Sequence, residues 1–282
     1  MRTQTEKAAA FRALHERPGA FIIPNPWEAG TAKLLAAAGF EALATTSLGL
    51  ANMLGRAGAF SKGSISAPKV SRAEAIANCQ VIAEATDLPV NADLENGFAH
   101  EPEAAAEAIR LAAQAGVVGG SIEDYSGDSS DPIYDVDLAV ARISAAAQMA
   151  HSLPIPFVLT ARAENLLHGR NDLADTIRRL QAYAAAGADV VYAPGLRSLG
   201  EVRDVVRAVN RPVNVVTGWL DPDITLAQLG EAGAKRISVG GALSRLALAT
   251  LVKAARAMQE QGSFAWMRDI IGIPELWNML KT

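Results

Sequence analysis

Several common chemistries lack the residues they need in this chain. A single cysteine, Cys79, among 282 residues excludes an internal disulfide framework and a cysteine-cluster metal site. It sits in an alanine-rich helical run, 73–84, where a free thiol serves packing. The four histidines, His15, His100, His151 and His168, are scattered, and no Ser-His-Asp order stands out. Only His168, in Asn165-Leu-Leu-His-Gly-Arg170, follows a strand closely enough to overhang a site. No lysine lies within a predicted strand, so a Schiff-base nucleophile is missing; Lys235 precedes the last strand, at the wrong end. No G-x-G-x-x-G opens a helix. The 26 basic and 30 acidic residues are intermixed for a net charge of −4, with no basic block to hold nucleic acid. No run of about 18 apolar residues is present, as a spanning helix needs. The charged N-terminal stretch 1–17 has no apolar signal-peptide core. These absences predict a chain with neither a membrane nor a nucleic-acid partner, at home in the reducing cytoplasm.

What is present is an alternation. Half of the residues are apolar, enough for one large core, and the length suits a single α/β barrel as well as two domains. Short β-prone runs at 20–23, 41–45, 89–93, 117–122, 157–160, 190–192, 213–216 and 236–239 alternate with helical patterns at 28–38, 71–85, 102–115, 135–149, 172–186, 198–209, 225–232 and 243–259. Ala-Gly stops recur ahead of strands, at Ala38-Gly39, Ala115-Gly116, Ala186-Gly187 and Ala232-Gly233. The strand patterns read as apolar on both faces, as parallel strands covered by helices do. Eight such units predict an α/β fold closed into a (β/α)8 TIM barrel over 1–282, with an open doubly wound sheet as the alternative. Residues 242–282 hold the last barrel helix and extra C-terminal helices.

A barrel collects its chemistry at the carboxyl ends of its strands. There lie Asn25, Thr46, Ser47, Asp93, Glu95, Glu123, Asp124, Arg162 and Asn214. In Pro89-Val-Asn-Ala-Asp93-Leu-Glu95-Asn-Gly97, two carboxylates one residue apart share a face, a repulsion that a cation or a base role offsets; the other reading is a solvated acidic turn. Oxygen donors without histidine or thiolate favour Mg2+ or Mn2+ over zinc. Arg162 offers a planar fork for a carboxylate or phosphonate, or an ion pair to Glu123 or Glu95. The Gly240-Gly241 turn suits a phosphate at a helix N-terminus or simple close packing.

The succession Asn25-Pro-Trp27-Glu28, Ala44-Thr-Thr46-Ser47, Ala92-Asp93-Leu-Glu95-Asn-Gly97, Ile122-Glu123-Asp124 and Thr160-Ala-Arg162-Ala-Glu164 resembles the isocitrate lyase/phosphoenolpyruvate mutase superfamily, with its motifs in family order. The resemblance implies a barrel whose last helices are often exchanged between subunits of a homodimer or homotetramer. It implies C–C or P–C chemistry beside a 2-oxo acid, with Mg2+ on the oxo and carboxylate oxygens. By the same resemblance, Asp93 is the direct metal ligand, Glu95 stands where an aspartate is usual, and Glu123 is a third carboxylate acting through water. Arg162 stabilises the far group of a small carboxylate substrate. The backbone amides of Thr46, Ser47 and Leu48 hold its carboxylate, and Asn214 is a further candidate contact.

The chain also departs from that pattern. The lyases' Lys-Arg/Lys-Cys-Gly-His loop and the mutases' Lys-Asn-Ser are replaced by Asp124-Tyr-Ser-Gly-Asp-Ser-Ser-Asp-Pro-Ile-Tyr134. A Pro-Asp pair after strand two is replaced around Arg56-Ala-Gly58-Ala-Phe60. The expectation is a Mg2+-dependent lyase cleaving a C–C bond of a small 2-oxo or 2-hydroxy dicarboxylic-type acid through a metal-stabilised enolate, decarboxylation being the simplest form. Arg162, Glu123 and Tyr125 are its catalytic candidates, and Tyr134, His168 or a metal-bound water are other proton sources. Alternatives are a phosphonopyruvate-type P–C mutase or hydrolase, and a carboxylate-binding barrel without turnover. The Ser/Gly/Asp/Pro-rich loop 125–134 is expected to be an irregular, mobile lid. The C-terminal run from Ser263 to Leu280, rich in large apolar groups, is expected to cross a subunit boundary.

Overall fold

The alternation closes into a nearly complete barrel of eight parallel strands. In the computed structural model, residues 2–61, 64–66 and 69–281 are described, without the side chains of 59–61 and 64–66. The barrel strands are β1 (Phe21–Ile23), β2 (Leu43–Ala44), β3 (Val90–Asp93), β4 (Gly119–Glu123), β5 (Val158–Arg162), β6 (Val190–Tyr192), β7 (Val213–Val216) and β8 (Arg236–Ser238), in the order β1-β8-β7-β6-β5-β4-β3-β2. The helices are α1 (Gln4–Glu16), α2 (Ala29–Ala37), α3 (Ser47–Met53), α4 (Arg72–Glu84), α5 (Pro102–Gln114), α6 (Val136–Ser152), α7 (Leu173–Ala185), α8 (Leu199–Ala208), α9 (Leu226–Glu231), α10 (Ala242–Gln261) and α11 (Ile273–Leu280).

Several boundaries move, and the moves matter for the site. β4 and β5 run further than their apolar patterns, so that Glu123 and Arg162 are paired ladder residues at the strand ends. Helix α3, which the sequence pattern did not predict, begins at Ser47 and is capped by the Thr46 side chain, which accepts from the Gly49 amide at 3.3 Å. Residues Ala59–Ser61 and Ser64–Ser66 form a short antiparallel hairpin. The side chains of Ala59 and Phe60, in the stretch that departs from the family's Pro-Asp pair, lie outside the described residues.

The seam between β1 and β2 has no ladder, and Asn25 bridges it. Its Nδ2 donates to Thr45 O at 3.0 Å, and its Oδ1 accepts from the amides of Val239 and Gly240 at 3.0 and 2.9 Å. Asn25 is therefore a structural clasp among three strand ends. The Gly240-Gly241 turn is explained by close packing: a Cβ on Gly241 would fall 2.7 Å from Leu48. At the opposite end α1 plugs the barrel, with Ala8, Phe11 and Leu14 packed on β1, β2 and the starts of β4, β5 and β6. Lys7 is pinned there by Ala83 O and Thr86 O at 3.1 and 2.6 Å.

The strands are not apolar on both faces. Arg236 donates from Nε to Asn214 Oδ1 at 2.7 Å and from Nη2 to Thr160 Oγ1 at 2.9 Å. β8 and β5 are not neighbours, so the second bond crosses the lumen. The Asn214 amide also donates to Ser238 Oγ at 3.1 Å. Both ends of the Asn214 side chain are thus hydrogen-bonded inside the barrel. The inward row is polar because a lumen with a buried guanidinium needs partners for it.

Most of α10 stands clear of the barrel, and α10 and α11 keep large apolar side chains exposed. From Arg245 onward through α10 and α11 no side chain is buried, and Leu246, Leu251, Ile270, Ile273 and Trp277 are all more than 60% exposed. α11 returns to lie beside α2, where Lys33 Nζ donates to Leu280 O at 3.0 Å. α10 is therefore not the barrel-covering eighth helix that the pattern suggested.

Each predicted Ala-Gly stop has its glycine at positive φ: Gly39, Gly116, Gly187 and Gly233 lie at 89°, 91°, 108° and 92°. At Gly233 space is also closed, because a Cβ would come 2.5 Å from Val206 Cγ1. Gly233→Ala is expected to cost about 2 kcal/mol or more through strain and overpacking, read as a lowered urea midpoint. An unchanged midpoint contradicts this packing.

Candidate active site at the carboxyl end of the barrel

Arg162 closes β5 with its half-buried guanidinium set among carboxylates from neighbouring strand ends. Nη1 lies 3.3 Å from Glu123 Oε2 and 3.8 Å from Asp93 Oδ1, and Nε donates to Glu164 Oε1 in a short bond. The Tyr192 ring, from the end of β6, lies under the guanidinium at 5.1 Å. The ion-pair reading of Arg162 drawn from the sequence is observed with Glu123, within the strand-end cluster itself. Glu164 and Tyr192 were not assigned from sequence. The available signals were the Arg162-x-Glu164 spacing and the register that sets Tyr192 opposite Arg162.

Asp93 is held from the other side. Its Oδ2 accepts from the amide and hydroxyl of Ser47 at 3.0 and 2.9 Å, and its own amide donates to Thr45 Oγ1 at 2.8 Å. Glu95 sits at φ 47°, a left-handed conformation uncommon for a side-chain-bearing residue, and Phe98 follows at 68°. The turn that carries Glu95 is stapled by Arg142, a buried guanidinium that donates to Ala99 O at 2.8 Å and to the carbonyls of Asn96 and His100 in shorter bonds. Leu48, one residue into α3, rests on Gly241 and is partly exposed. Thr46, Ser47, Asp93 and Glu95 line a small cavity with Leu50 and Asn78. Another hollow, beside Leu166, Gly195 and Arg197, gathers no carboxylate cluster, and its Glu201 already accepts from the Arg197 amide at 2.6 Å.

Three carboxylates therefore lie within ion-pair reach of the guanidinium, with Glu95 beside Asp93, and their electrostatics reflect burial first and the crowding of like charge second. Burial, then the neighbouring Asp93, pushes the Glu95 carboxyl up to about 8 against the pull of Arg162. Burial also drives Glu123 well above the usual carboxylate range, Arg162 opposing and Glu164, Asp93 and Glu95 adding to it. Glu164 is pushed up by burial too, but Arg162 and His168 outweigh this and hold it low. Glu95 Oε1 is buried with no hydrogen-bond partner.

These features fit a hard divalent cation. An orphaned carboxylate oxygen, two carboxyls raised by burial and then by neighbouring like charge, and an oxygen-only donor set are what Asp93, Glu95 and Glu123 bring. Among the described residues no three acidic, histidine or cysteine side chains already form a cage, and Arg162 lies within ion-pair reach of both Asp93 and Glu123.

Adjacent residues of the same strand end do different work. Glu123 faces the cluster, while Asp124 turns to the helix layer, accepting from Tyr183 Oη at 2.6 Å, Arg179 Nη1 at 3.2 Å and the Glu164 amide at 2.7 Å. Tyr125 stacks on His168, centroids 4.1 Å apart and rings 5° from parallel. Burial and Glu123 raise the Tyr125 phenol. Tyr134, by contrast, is buried with its hydroxyl 2.7 Å from His100 Nδ1 and accepting from Asn96 at 3.3 Å, which ties it to the turn. His15 lies below, 3.5 Å from Arg236. Cys79 is buried against Thr45, its thiol pushed up to about 12 by burial, and is inert.

The 125–134 loop carries no helix or strand, as expected of its composition, but it is tied to itself by an isolated bridge and side-chain bonds. Tyr125 and Ile133 form an antiparallel bridge, and the Ser126 amide donates to Pro132 O at 2.8 Å. Ser126 Oγ donates to Asp131 O at 2.6 Å, and Asp128 accepts from the Ser130 amide and hydroxyl at 2.8 and 2.7 Å. Small polar residues that favour turns have here closed one on themselves.

A phosphoenolpyruvate phosphomutase family model matches residues 11–259. A solved structure from Burkholderia cenocepacia J2315, named provisionally as a lyase/mutase, is 50% identical with a TM-score of 0.93, covering 99% of this chain and 97% of its own. A second from the same organism, named provisionally as a phosphonomutase, is 37% identical with a TM-score of 0.79, covering 92% and 100%. The 2-methylisocitrate lyase of Halalkalibacterium halodurans is 26% identical over 270 residues, 93% of this chain and 85% of its own.

The raised Glu95 carboxyl has a consequence for stability. Relative to an unfolded value of 4.5, the folded chain holds this proton more tightly, so the associated stability is present below about 4.5 and lost as the pH rises toward 8. In cation-free buffer the urea midpoint is expected to fall between about pH 6.5 and 8, and Glu95→Gln is expected to flatten that fall. The same slope in both proteins contradicts the assignment.

Proposed function

From the premise that this chain belongs to the phosphoenolpyruvate mutase family, an enzyme family of lyases and mutases acting on small carboxylates, we propose that it cleaves a C–C bond in a small 2-oxo or 2-hydroxy dicarboxylic-type acid. The observation that carries this reading is Arg162, half-buried at the barrel mouth and shared among Asp93, Glu123 and Glu164. Asp93, Glu95 and Glu123 would hold Mg2+ or Mn2+, which supplies Lewis-acid polarisation of the substrate's oxygens when bound.

The chain's own groups do the rest. The Thr46–Leu48 segment at the start of α3 presents amides for the substrate carboxylate, with the Ser47 amide now on Asp93. Arg162 faces the far group and the negative charge that develops when the C–C bond breaks and its electron pair stays on one fragment. That fragment needs a proton. Tyr125, whose phenol stays protonated at neutral pH, holds one at Oη beside the cluster. Decarboxylation is the simplest form, since loss of CO2 leaves a charge that Arg162 can face without a cysteine acid.

A second reading, P–C chemistry on a phosphonopyruvate-type acid, is favoured by the 37% identity to the phosphonomutase-named structure. Against it stands the charge count: among the described residues, a guanidinium already facing three carboxylates has little left for a dianionic phosphonate.

The assembly proposal concerns α10 and α11. Their apolar side chains lie open along some 40 residues of chain, and a second copy of this chain offers the same surface for a two-fold contact. Light scattering at micromolar concentration is expected to give a dimer or a tetramer; a monomer would sink the proposal.

Turnover of a panel of 2-oxo acids, methylisocitrate-like acids and phosphonates, followed by NMR with Mg2+ and with EDTA, tests the activity. A 2-oxo or 2-hydroxy acid should be cleaved only with the cation, and no phosphate should be released. Asp93→Ala is expected to abolish turnover and Arg162→Lys to lower kcat/KM by about 100-fold, since a lysine lacks the fork. Cleavage that survives in Asp93→Ala with EDTA overturns the site.

A further inference from the structure

His168 ends the short 3-10 turn Asn165–His168 that follows β5. The turn is rigidly seated: Asn165 Nδ2 donates to Thr176 Oγ1 at 2.8 Å and to Arg170 O and Asp172 O at 3.2 Å each. Gly169 stops it in the left-handed region at φ 77°. The His168 side chain, only 9% exposed, meets two partners there. Its Nε2 lies 3.7 Å from Glu164 Oε2, and Glu164 Oε1 accepts from Arg162 Nε. Its ring face carries Tyr125 in a near-parallel stack. Tyr125 is in turn the first residue of the bridged loop, paired with Ile133.

One imidazole thus touches both the carboxylate that orients Arg162 and the aromatic ring that seats the loop. A phenylalanine would keep the stack and lose the contact to Glu164; a glutamine would do the reverse. Only a ring with a polar edge does both. We propose that His168 is a positioning residue for this reaction: it sets the Glu164–Arg162 pair with its edge and the base of the 125–134 loop with its face. This deepens the reading above and rests on its roles for Arg162 and Tyr125. It also explains how a chain without the family's cysteine loop keeps its replacement loop in register with the guanidinium. The mechanical link runs from the loop bridge through Tyr125, His168 and Glu164 to Arg162.

The two halves of the role separate by substitution. In His168→Phe, kcat is expected to fall about tenfold or more with KM within about threefold, because a misplaced guanidinium costs the transition state most. Hydrogen–deuterium exchange of the Ser126 and Tyr134 amides should stay as in the wild type. In His168→Gln those amides are expected to exchange about tenfold faster, and kcat falls as well because the stack that seats Tyr125, the proton donor proposed above, is lost. His168→Ala should show both defects. Thermal midpoints of all three are measured alongside, so that loss through unfolding is recognised; if the alanine variant does not fold, the Phe and Gln pair decides. Wild-type kcat in His168→Phe overturns the edge contact, and loop exchange in His168→Gln equal to the wild type overturns the stack. The exchange arm uses no substrate. If the wild-type protein cleaves none of the acids, the proposed activity fails on its own, and exchange in the Gln variant still decides whether His168 seats the loop.

Discussion

One guanidinium held among carboxylates is the constraint around which the barrel mouth is built. Buried charges of one sign are tolerated only with a partner, and removing the partner of a buried pair costs far more than the pair contributes. Arg162 is the cation that lets Asp93, Glu123 and Glu164 share one end of the barrel. Its own position is fixed by the ladder, which sets Glu123 opposite it on β4 and Tyr192 opposite it on β6. A shift of one residue in either pairing would turn these side chains to the other face.

The surrounding structure resists that shift. Asp124, one residue beyond Glu123, is locked to Tyr183 and Arg179 of α7 and to the Glu164 backbone. β4, β5 and α7 are thereby joined at the level of the cluster. On the other flank, Arg142 of α6 fixes the Glu95 turn through backbone carbonyls and covers the Tyr134 ring at 4.7 Å. The two loops that overhang the site are therefore moored to helices behind it. What stays unbalanced is charge: Glu95 keeps an unpartnered oxygen and a raised carboxyl inside this rigid frame. A frame that enforces such crowding without relieving it is suited to receive a cation.

The periphery follows a different rule. α1 and the alanine-rich helices bury small side chains closely on the barrel, whereas α10 and α11 keep large apolar groups in the open. Nothing about the hydrophobic pattern of α10 distinguishes the two cases, because an amphipathic stripe specifies that a face is to be covered and not by which chain.

The order of eight strands and helices, the glycine stops, and the gathering of Asp93, Glu95, Glu123 and Arg162 at one end were all legible in the sequence. Period-two and period-3.6 patterns and turn chemistry are local, and barrel topology turns strand ends into a place. Local patterns do not name partners. The sequence showed two acids at Glu123-Asp124 but not that one enters the cluster and the other anchors α7. It offered Asn25 and Asn214 as site residues, and only the closed barrel committed the first to the β1–β2 seam and the second to Arg236. Glu164, Tyr192 and the His168–Tyr125 stack come from segments far apart in the chain or just past a strand end, and the Tyr125–Ile133 bridge pairs two positions that composition alone does not pair. Alternation along a strand decides which way a side chain points; the three-dimensional closure of the barrel decides what it meets.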